Sequence, residues 1–154
     1  MRGKPATKRK IKPDYKYNNL ILSKMVNQVM RGGKKTVAEG IIYDCLDLIA
    51  QKSKQEPLSV FERAINNVSP VLEVKSRRIG GANYQIPVEV RGDRRLALAL
   101  RWIIGAARSK KGRRMSMKLA SELMEAAEMR GDAIKKKQDV QKMAESNRAF
   151  AHFA

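Results

Sequence analysis

The chain has 154 residues, of which 33 are Lys or Arg and 15 are Asp or Glu, giving a formal net charge of +18. This length suits one domain, and 43% hydrophobic residues suffice for one core. No apolar run approaches the roughly 18 residues that span a bilayer, which predicts a cytoplasmic protein with no membrane partner. Charge of this size and sign indicates a polyanionic partner, nucleic acid above all.

Residues 1–17 are basic, contain Pro5 and Pro13, and show no hydrophobic period. This pattern predicts an extended N-terminal arm, followed by a helical domain over 18–154. Asn18 or Asn19 can cap a first helix, whose apolar residues recur at helical spacing until Gly32 and Gly33.

Two further helices are predicted before the period changes. Thr36 and Glu39 have the spacing of a capping box, with an apolar stripe that runs to about Lys52. Pro57 suits a first turn, and Ser59 with Glu62 repeats the capping-box spacing. Pro70 should end this third helix.

Residues 71–90 change to a two-residue alternation around Gly80 and Gly81, which predicts a β-hairpin with a Gly-Gly turn. Pro87 would suit an edge strand. An isolated hairpin is marginally stable in water, so it should either pack on the helices or project towards a partner. Basic side chains at Lys75, Arg77 and Arg78 favour projection; the alternative is a packed hairpin with a solvated basic face.

The remaining residues predict three more helices. Asp93 can cap a widely apolar fourth helix in which Trp102 should pack in the core and Gly105 could permit a close helix crossing. A basic loop over 108–114 precedes a fifth helix opened by Ser116. Asp132 can cap a sixth, more polar helix that should lie on the surface.

The predicted fold is therefore mainly α, a single domain of about six helices with a projecting β-hairpin between the third and fourth helices.

The sequence contains no grouping of residues that is typical of a catalytic site. His152 is the sole histidine and lies near the end, while Glu122 and Glu125 have the spacing of residues on a helix face. We expect neither an enzyme nor a metal or cofactor, and interpret Cys45 as a small buried side chain.

Several runs resemble one known family, the bacterial-type small-subunit ribosomal protein S-seven, almost end to end. The strongest run is 70–90, which reads PVLEVKSRRIGGANYQIPVEV and is followed by Arg94-Arg95 and Arg101-Trp102. The runs 13–20, PDYKYNNL, and 149–152, AFAH, are similar to the two ends of the family pattern.

The resemblance implies a structural component of the small ribosomal subunit in the cytoplasm. Family members are primary binders of the 3′ major domain of 16S ribosomal RNA, nucleate assembly of the subunit head, and lie near exit-site transfer RNA and messenger RNA. Neighbouring ribosomal proteins S-nine and S-eleven are implied partners.

Carried onto this chain, the implied RNA-binding residues are all cationic: Lys8, Arg9, Lys10, Lys12, Lys34, Lys35, Lys75, Arg77, Arg78, Arg94, Arg95, Arg108, Lys110, Lys111, Arg113, Arg114 and Lys118. The residues implied to lie near transfer and messenger RNA form the hairpin tip: Gly80, Gly81, Ala82, Asn83 and Tyr84. From the residues alone, Tyr84 could either stack on a base or pack across the hairpin. An architectural DNA-binding protein with a basic β-arm is the alternative function.

Overall fold

The computed structural model describes Gly3, Thr7 and residues 9–153. In this part of the chain, six α-helices enclose a core, and one antiparallel hairpin joins the third helix to the fourth, which confirms the predicted fold class. The elements are α1 (Leu20–Val29), α2 (Lys35–Ser53), α3 (Pro57–Val68), β1 (Leu72–Ile79), β2 (Ala82–Glu89), α4 (Gly92–Ser109), α5 (Met115–Ala127), α6 (Asp132–Ser146) and a 3₁₀ helix (Arg148–Phe153).

Helices α3, α4 and α5 pack against one another at the centre, with α1 and α2 on their flank. Leu100, Phe61 and Leu123 are fully buried there, and Trp102 packs against the same cluster as predicted. Cys45 is also buried, and burial together with nearby Asp44 raises the pKa of its thiol to about 12. This confirms the interpretation of Cys45 as a packing residue.

The first helix begins where its cap was predicted. The Asn19 side chain accepts hydrogen bonds from the backbone N–H groups of Ile21, at 2.8 Å, and Leu22, at 3.2 Å. These bonds satisfy two of the donors that a helix start leaves without intrahelical partners.

Both predicted capping boxes are wrong. Helix α2 begins at Lys35, so Thr36 lies inside its first turn, and the N-cap residue Lys34 makes no capping hydrogen bond with its side chain. Helix α3 begins at Pro57, and the Ser59 hydroxyl donates to the Glu56 carbonyl at 2.8 Å. Helix α3 starts earlier than its box requires because Pro57 already has the backbone angle of a first turn.

The predicted caps of the last three helices are each displaced by one or two residues. Asp93, Ser116 and Asp132 lie in the first turns of α4, α5 and α6, and the N-cap positions belong to Arg91, Arg114 and Gly131. Acidic side chains remain favourable inside a first turn because they oppose the partial positive charge of the helix start.

The hairpin turns at Gly80-Gly81 as predicted, with Ile79 opposite Ala82 across the turn. Both glycines have positive φ, 57° and 94°, which a two-residue turn of this hand requires. The hairpin does not stand alone, because both strands contact α6 and β2 also contacts the 3₁₀ helix. Pro87 sits opposite Val74 and is buried rather than solvated.

The end of the predicted arm packs against the helical body. Asp14 is only 6% exposed, and one of its carboxylate oxygens accepts a 2.8 Å hydrogen bond from the Tyr43 hydroxyl. The other oxygen accepts from the backbone N–H groups of Lys16 and Tyr17, both at 3.0 Å. Asp14 therefore packs against the body although it lies inside the range assigned to the arm.

Helix α6 is mostly exposed, as predicted, but three of its residues are buried: Ala133, Ile134 and Ala144. These place it between α4 and the hairpin. The predicted role of Gly105 in a close helix crossing is wrong, because this glycine is exposed and open space surrounds the position of a Cβ atom.

Candidate nucleic-acid interface

The cations proposed from the sequence are mostly exposed and come from five separate parts of the fold. Lys8 lies outside the described residues. The exposed members are Arg9, Lys10, Lys12, Lys34, Lys35, Lys75, Arg77, Arg78, Arg94, Arg95, Arg108, Lys111, Arg113 and Arg114, whereas Lys110 and Lys118 are partly buried. Exposed cations spread over the arm, the helix ends, the hairpin and one loop can meet several phosphate backbones at once.

One groove brings together cations that are far apart in the sequence. It measures about 420 Å³, and Lys34, Arg108 and Lys118 line it from α4, α5 and the turn before α2. Arg31, which the sequence analysis missed, lines the same groove. Its position one residue before the Gly32-Gly33 turn was the available signal, since a cation beside a tight backbone turn can reach a phosphate.

Arg108 has a second contact that limits its freedom. Its guanidinium lies 3.3 Å from the carbonyl oxygen of Val29 and 3.5 Å from that of Gln28, at the end of α1. The last carbonyls of a helix lack intrahelical donors, so this contact stabilises the end of α1. Arg108 therefore joins α4 to α1 at the edge of the groove.

A second, larger groove lies between α1, α4 and the arm. Arg9 and Lys10 line it, together with Lys24, which the sequence analysis also missed. Lys24 lies between Leu22 and Met25 of the predicted apolar stripe of α1, and this position in the sequence gave no indication of a binding role. The groove places arm cations beside a helix of the body.

Glu73 binds two of the hairpin-associated cations. Its carboxylate oxygens lie 3.6 Å from the Lys75 Nζ atom and 3.1 Å from the Arg94 Nε atom. Both cations remain about half exposed, so the pairs leave them accessible to a phosphate. Glu73 thus ties β1 to the first turn of α4 and holds these two cations together.

The start of α4 and the middle of α6 concentrate further positive charge. Lys137 donates to the Asn67 carbonyl at 2.6 Å, and burial together with nearby Arg95 lowers the pKa of Lys137. Two neighbouring cations repel each other, so a phosphate placed between them would relieve a cost that the free protein carries.

Lys110 differs from the other predicted RNA-binding residues because its ammonium group is bound inside the protein. Its Nζ atom lies 2.8 Å from Glu122 and 2.9 Å from Glu125. Partial burial alone would lower the pKa of Lys110, but hydrogen bonds to these two carboxylates outweigh it and raise the pKa above 10.5. Lys111, Arg113 and Arg114 on the same loop stay exposed.

Glu122 itself is fully buried, so its interpretation as a helix-face residue in the manner of Glu125 is wrong. One carboxylate oxygen accepts a 2.9 Å hydrogen bond from the backbone N–H of Ala133, at the start of α6. A signal was present in the sequence: position 122 falls beside Leu119 and Leu123 on the apolar face of α5. Burial there requires a paired charge, which Lys110 supplies.

Tyr84 packs within the protein. Its ring lies 4.7 Å from that of Phe150, centroid to centroid, at a tilted angle. The ring is partly buried, whereas Gly80, Gly81, Ala82 and Asn83 at the tip are exposed. Neither alternative from the sequence foresaw this partner, which comes from the 3₁₀ helix rather than from the opposite strand.

Among residues 9–153, no three His, Cys, Asp or Glu side chains group in a way that could hold a metal ion. No described helix combines the length and apolar character needed to cross a bilayer. The fold and surface define a class: a basic, mainly helical protein whose exposed cations and hairpin suit contact with a polyanion.

Comparison with known sequences identifies the family. The profile of the family described as "Ribosomal protein S7p/S5e" matches residues 1–148, and the chain belongs to this family. It is 53% identical to small ribosomal subunit protein uS7 of Desulfatibacillum aliphaticivorans over 152 residues, which is 99% of this chain and 97% of the relative. It is 55% identical over 148 residues to the uS7 proteins of Afipia carboxidovorans and Nitrobacter hamburgensis, and each match covers 96% of this chain and 95% of the relative.

This is the family that the sequence motifs resemble, so the predicted resemblance is confirmed. Its members are structural ribosomal proteins rather than enzymes. Membership therefore favours the ribosomal prediction over an architectural DNA-binding protein.

Proposed function

We propose that this protein acts in the small ribosomal subunit as a primary binder of the 3′ major domain of 16S ribosomal RNA, where it nucleates assembly of the head. The observation that carries the proposal is the groove where Arg31, Lys34, Arg108 and Lys118 meet from three places in the chain: the turn before α2, the end of α4 and the start of α5. Cations arranged in this way can hold two RNA segments in a fixed relation, which is what assembly requires.

The hairpin tip would lie near exit-site transfer RNA and the messenger RNA path. Support comes from the exposure of Gly80, Gly81, Ala82 and Asn83 at the end of a ribbon with exposed Arg77 and Arg78 at its sides. Glycine at the turn permits close approach of two backbones. We also propose that ribosomal proteins S-nine and S-eleven contact this protein, on surfaces that RNA does not cover.

Binding of RNA can be tested by titrating the protein with a fragment of the 3′ major domain and with an unrelated structured RNA of equal length. The fragment should bind more tightly, with an affinity that falls steeply as salt rises because condensed counterions are released. Equal affinity for the two RNAs would contradict the proposal.

Two different measurements separate the exposed cations from Lys110. Lys111→Ala should reduce the slope of log Kd against log salt by about one unit, because it removes one phosphate contact. Lys110→Ala should instead lower the free energy of unfolding, because it leaves the buried Glu122 carboxylate without its cation. Equal stability of the two variants would contradict the assignment of Lys110 to the interior.

A further inference from the structure

The groove between α1, α4 and the arm combines three properties that point to one kind of ligand. It measures about 880 Å³, within the roughly 300–1,000 Å³ range of small-ligand pockets. Its lining has an apolar part, a cationic part and two amide side chains. We propose that this groove takes an unpaired nucleobase of an RNA strand, a role that rests on the proposed RNA-binding function.

The apolar part would contact the face of the base. Leu20 is a large apolar side chain that is 45% exposed, and Leu96 and Ala97 are half-buried, so these three residues supply the open apolar surface. Leu100, which also lines the groove, is itself fully buried. Covering this surface with a flat base removes it from water, which favours binding by roughly 25 cal/mol per Å² of apolar area.

The cations would hold the flanking phosphates. Arg9 and Lys10 are exposed on one side of the groove, and Lys24 lies on α1. Against these three cations the lining has one acidic residue, Asp93. This excess of positive charge favours a nucleic acid over an apolar segment of another protein as the occupant.

The amide side chains supply the means to read a base edge. Asn27 and Gln28 follow one another near the end of α1, and each amide carries both donors and an acceptor. Unpaired bases expose hydrogen-bond donors and acceptors on their pairing edges, whereas paired bases do not. The groove therefore suits a single-stranded or bulged nucleotide rather than a continuous duplex.

The test compares two strands with equal charge: an oligouridine of about ten nucleotides and an abasic strand of the same length. The intact protein should bind the oligouridine about 5-fold more tightly, the gain expected when a base covers roughly 40 Å² of apolar lining at about 25 cal/mol per Å². Ala97→Leu, which fills the groove without changing any charge, should remove most of this preference.

Gly105→Leu is the matched control because it adds the same side chain to an exposed position of α4 outside the groove. It should keep the preference, and thermal unfolding should show both variants folded. No preference in the intact protein, or a preference that survives Ala97→Leu, would overturn the nucleobase site and leave the groove to a protein partner.

Failure of the site and failure of the proposed function give different results. The proposed function fails when the 3′ major-domain fragment binds no better than unrelated RNA. The nucleobase site alone fails when that fragment binds selectively but Ala97→Leu changes neither its affinity nor the preference for oligouridine. Photocrosslinking with 4-thiouridine in the fragment should in addition mark peptides containing Leu20 or Leu96 when the site is correct.

Discussion

The Nζ atom of Lys110 lies 2.8 Å from a carboxylate oxygen of Glu122, a side chain with no solvent exposure. This pair connects the basic loop before α5 to the start of α6, because the other oxygen of Glu122 binds the Ala133 backbone. Glu125 also binds the Lys110 ammonium group and accepts a 2.6 Å hydrogen bond from the Ser121 hydroxyl. The exposed cations of the loop are thus fixed in place by a buried anchor.

Glu122→Gln should lower the free energy of unfolding by about 3 kcal/mol, the lower end of the range for breaking a buried ion pair. The amide keeps an oxygen for Ala133 but removes the charge that Lys110 needs. Urea denaturation measures the change. Glu128→Gln is the control, because its pair with Arg130 is largely exposed on both sides and should contribute less than about 1 kcal/mol. Equal losses for the two variants would contradict the anchor.

Tyr43→Phe should destabilise the protein by about 1 kcal/mol, since it removes the hydrogen bond from the Tyr43 hydroxyl to Asp14. Tyr15→Phe is a close control, because Tyr15 is 100% exposed and should be neutral. Thermal unfolding of both variants makes the comparison, and a neutral Tyr43→Phe would show that Asp14 holds the end of the arm without this bond.

The same hydrogen bond has a pH dependence. Burial and the bond to Asp14 raise the pKa of Tyr43 from 10.0 to about 12. A raised folded-state pKa means that the contribution to stability is complete below pH 10 and is lost as the pH rises through about 12. Spectrophotometric titration of the intact protein should show one late-titrating tyrosine that is missing in Tyr43→Phe.

Phe150→Ala should loosen the hairpin while leaving the helical core intact. Its ring contacts Tyr84, and aromatic pairs contribute about 0.5–1.5 kcal/mol beyond the area they bury. Amide hydrogen exchange in 82–89 should become faster, whereas exchange in α3 should not change. Met143→Ala removes an exposed side chain of α6 and should leave both segments unaffected. Unchanged exchange in Phe150→Ala would mean that α6 alone holds the hairpin.

Gly131→Ala and Gly105→Ala should have opposite effects on stability. Gly131 has φ 94°, and an added Cβ atom would lie 2.9 Å from a Glu122 carboxylate oxygen and 3.2 Å from the Glu125 Cβ atom. A cost of about 1–3 kcal/mol is expected from the backbone angle alone. Gly105→Ala lies in open space on α4 and should stabilise by about 0.5–1 kcal/mol. Denaturant unfolding measures both variants, and changes of the same sign in the free energy of unfolding would contradict this account.

Hydrophobic periodicity determined most of the architecture. The stripes of the six helices, the alternation around Gly80-Gly81 and the cap at Asn19 depend on neighbours within a few residues, so the sequence alone was enough to place them. Caps such as Ser59 were misplaced because several residues near a helix start can satisfy the same local rule, and tertiary packing selects among them.

Charge counting in the sequence indicated a polyanionic partner, but it could not show which cations are available to bind it. Lys110 and Lys111 are equivalent in the sequence, yet one pairs with buried Glu122 and the other is exposed. Arg31 and Lys24 become candidate binding residues only because other elements bring cations beside them. Electrostatic pairing acts through space and depends on burial, so the tertiary structure alone decided which charges stabilise the fold and which face outward.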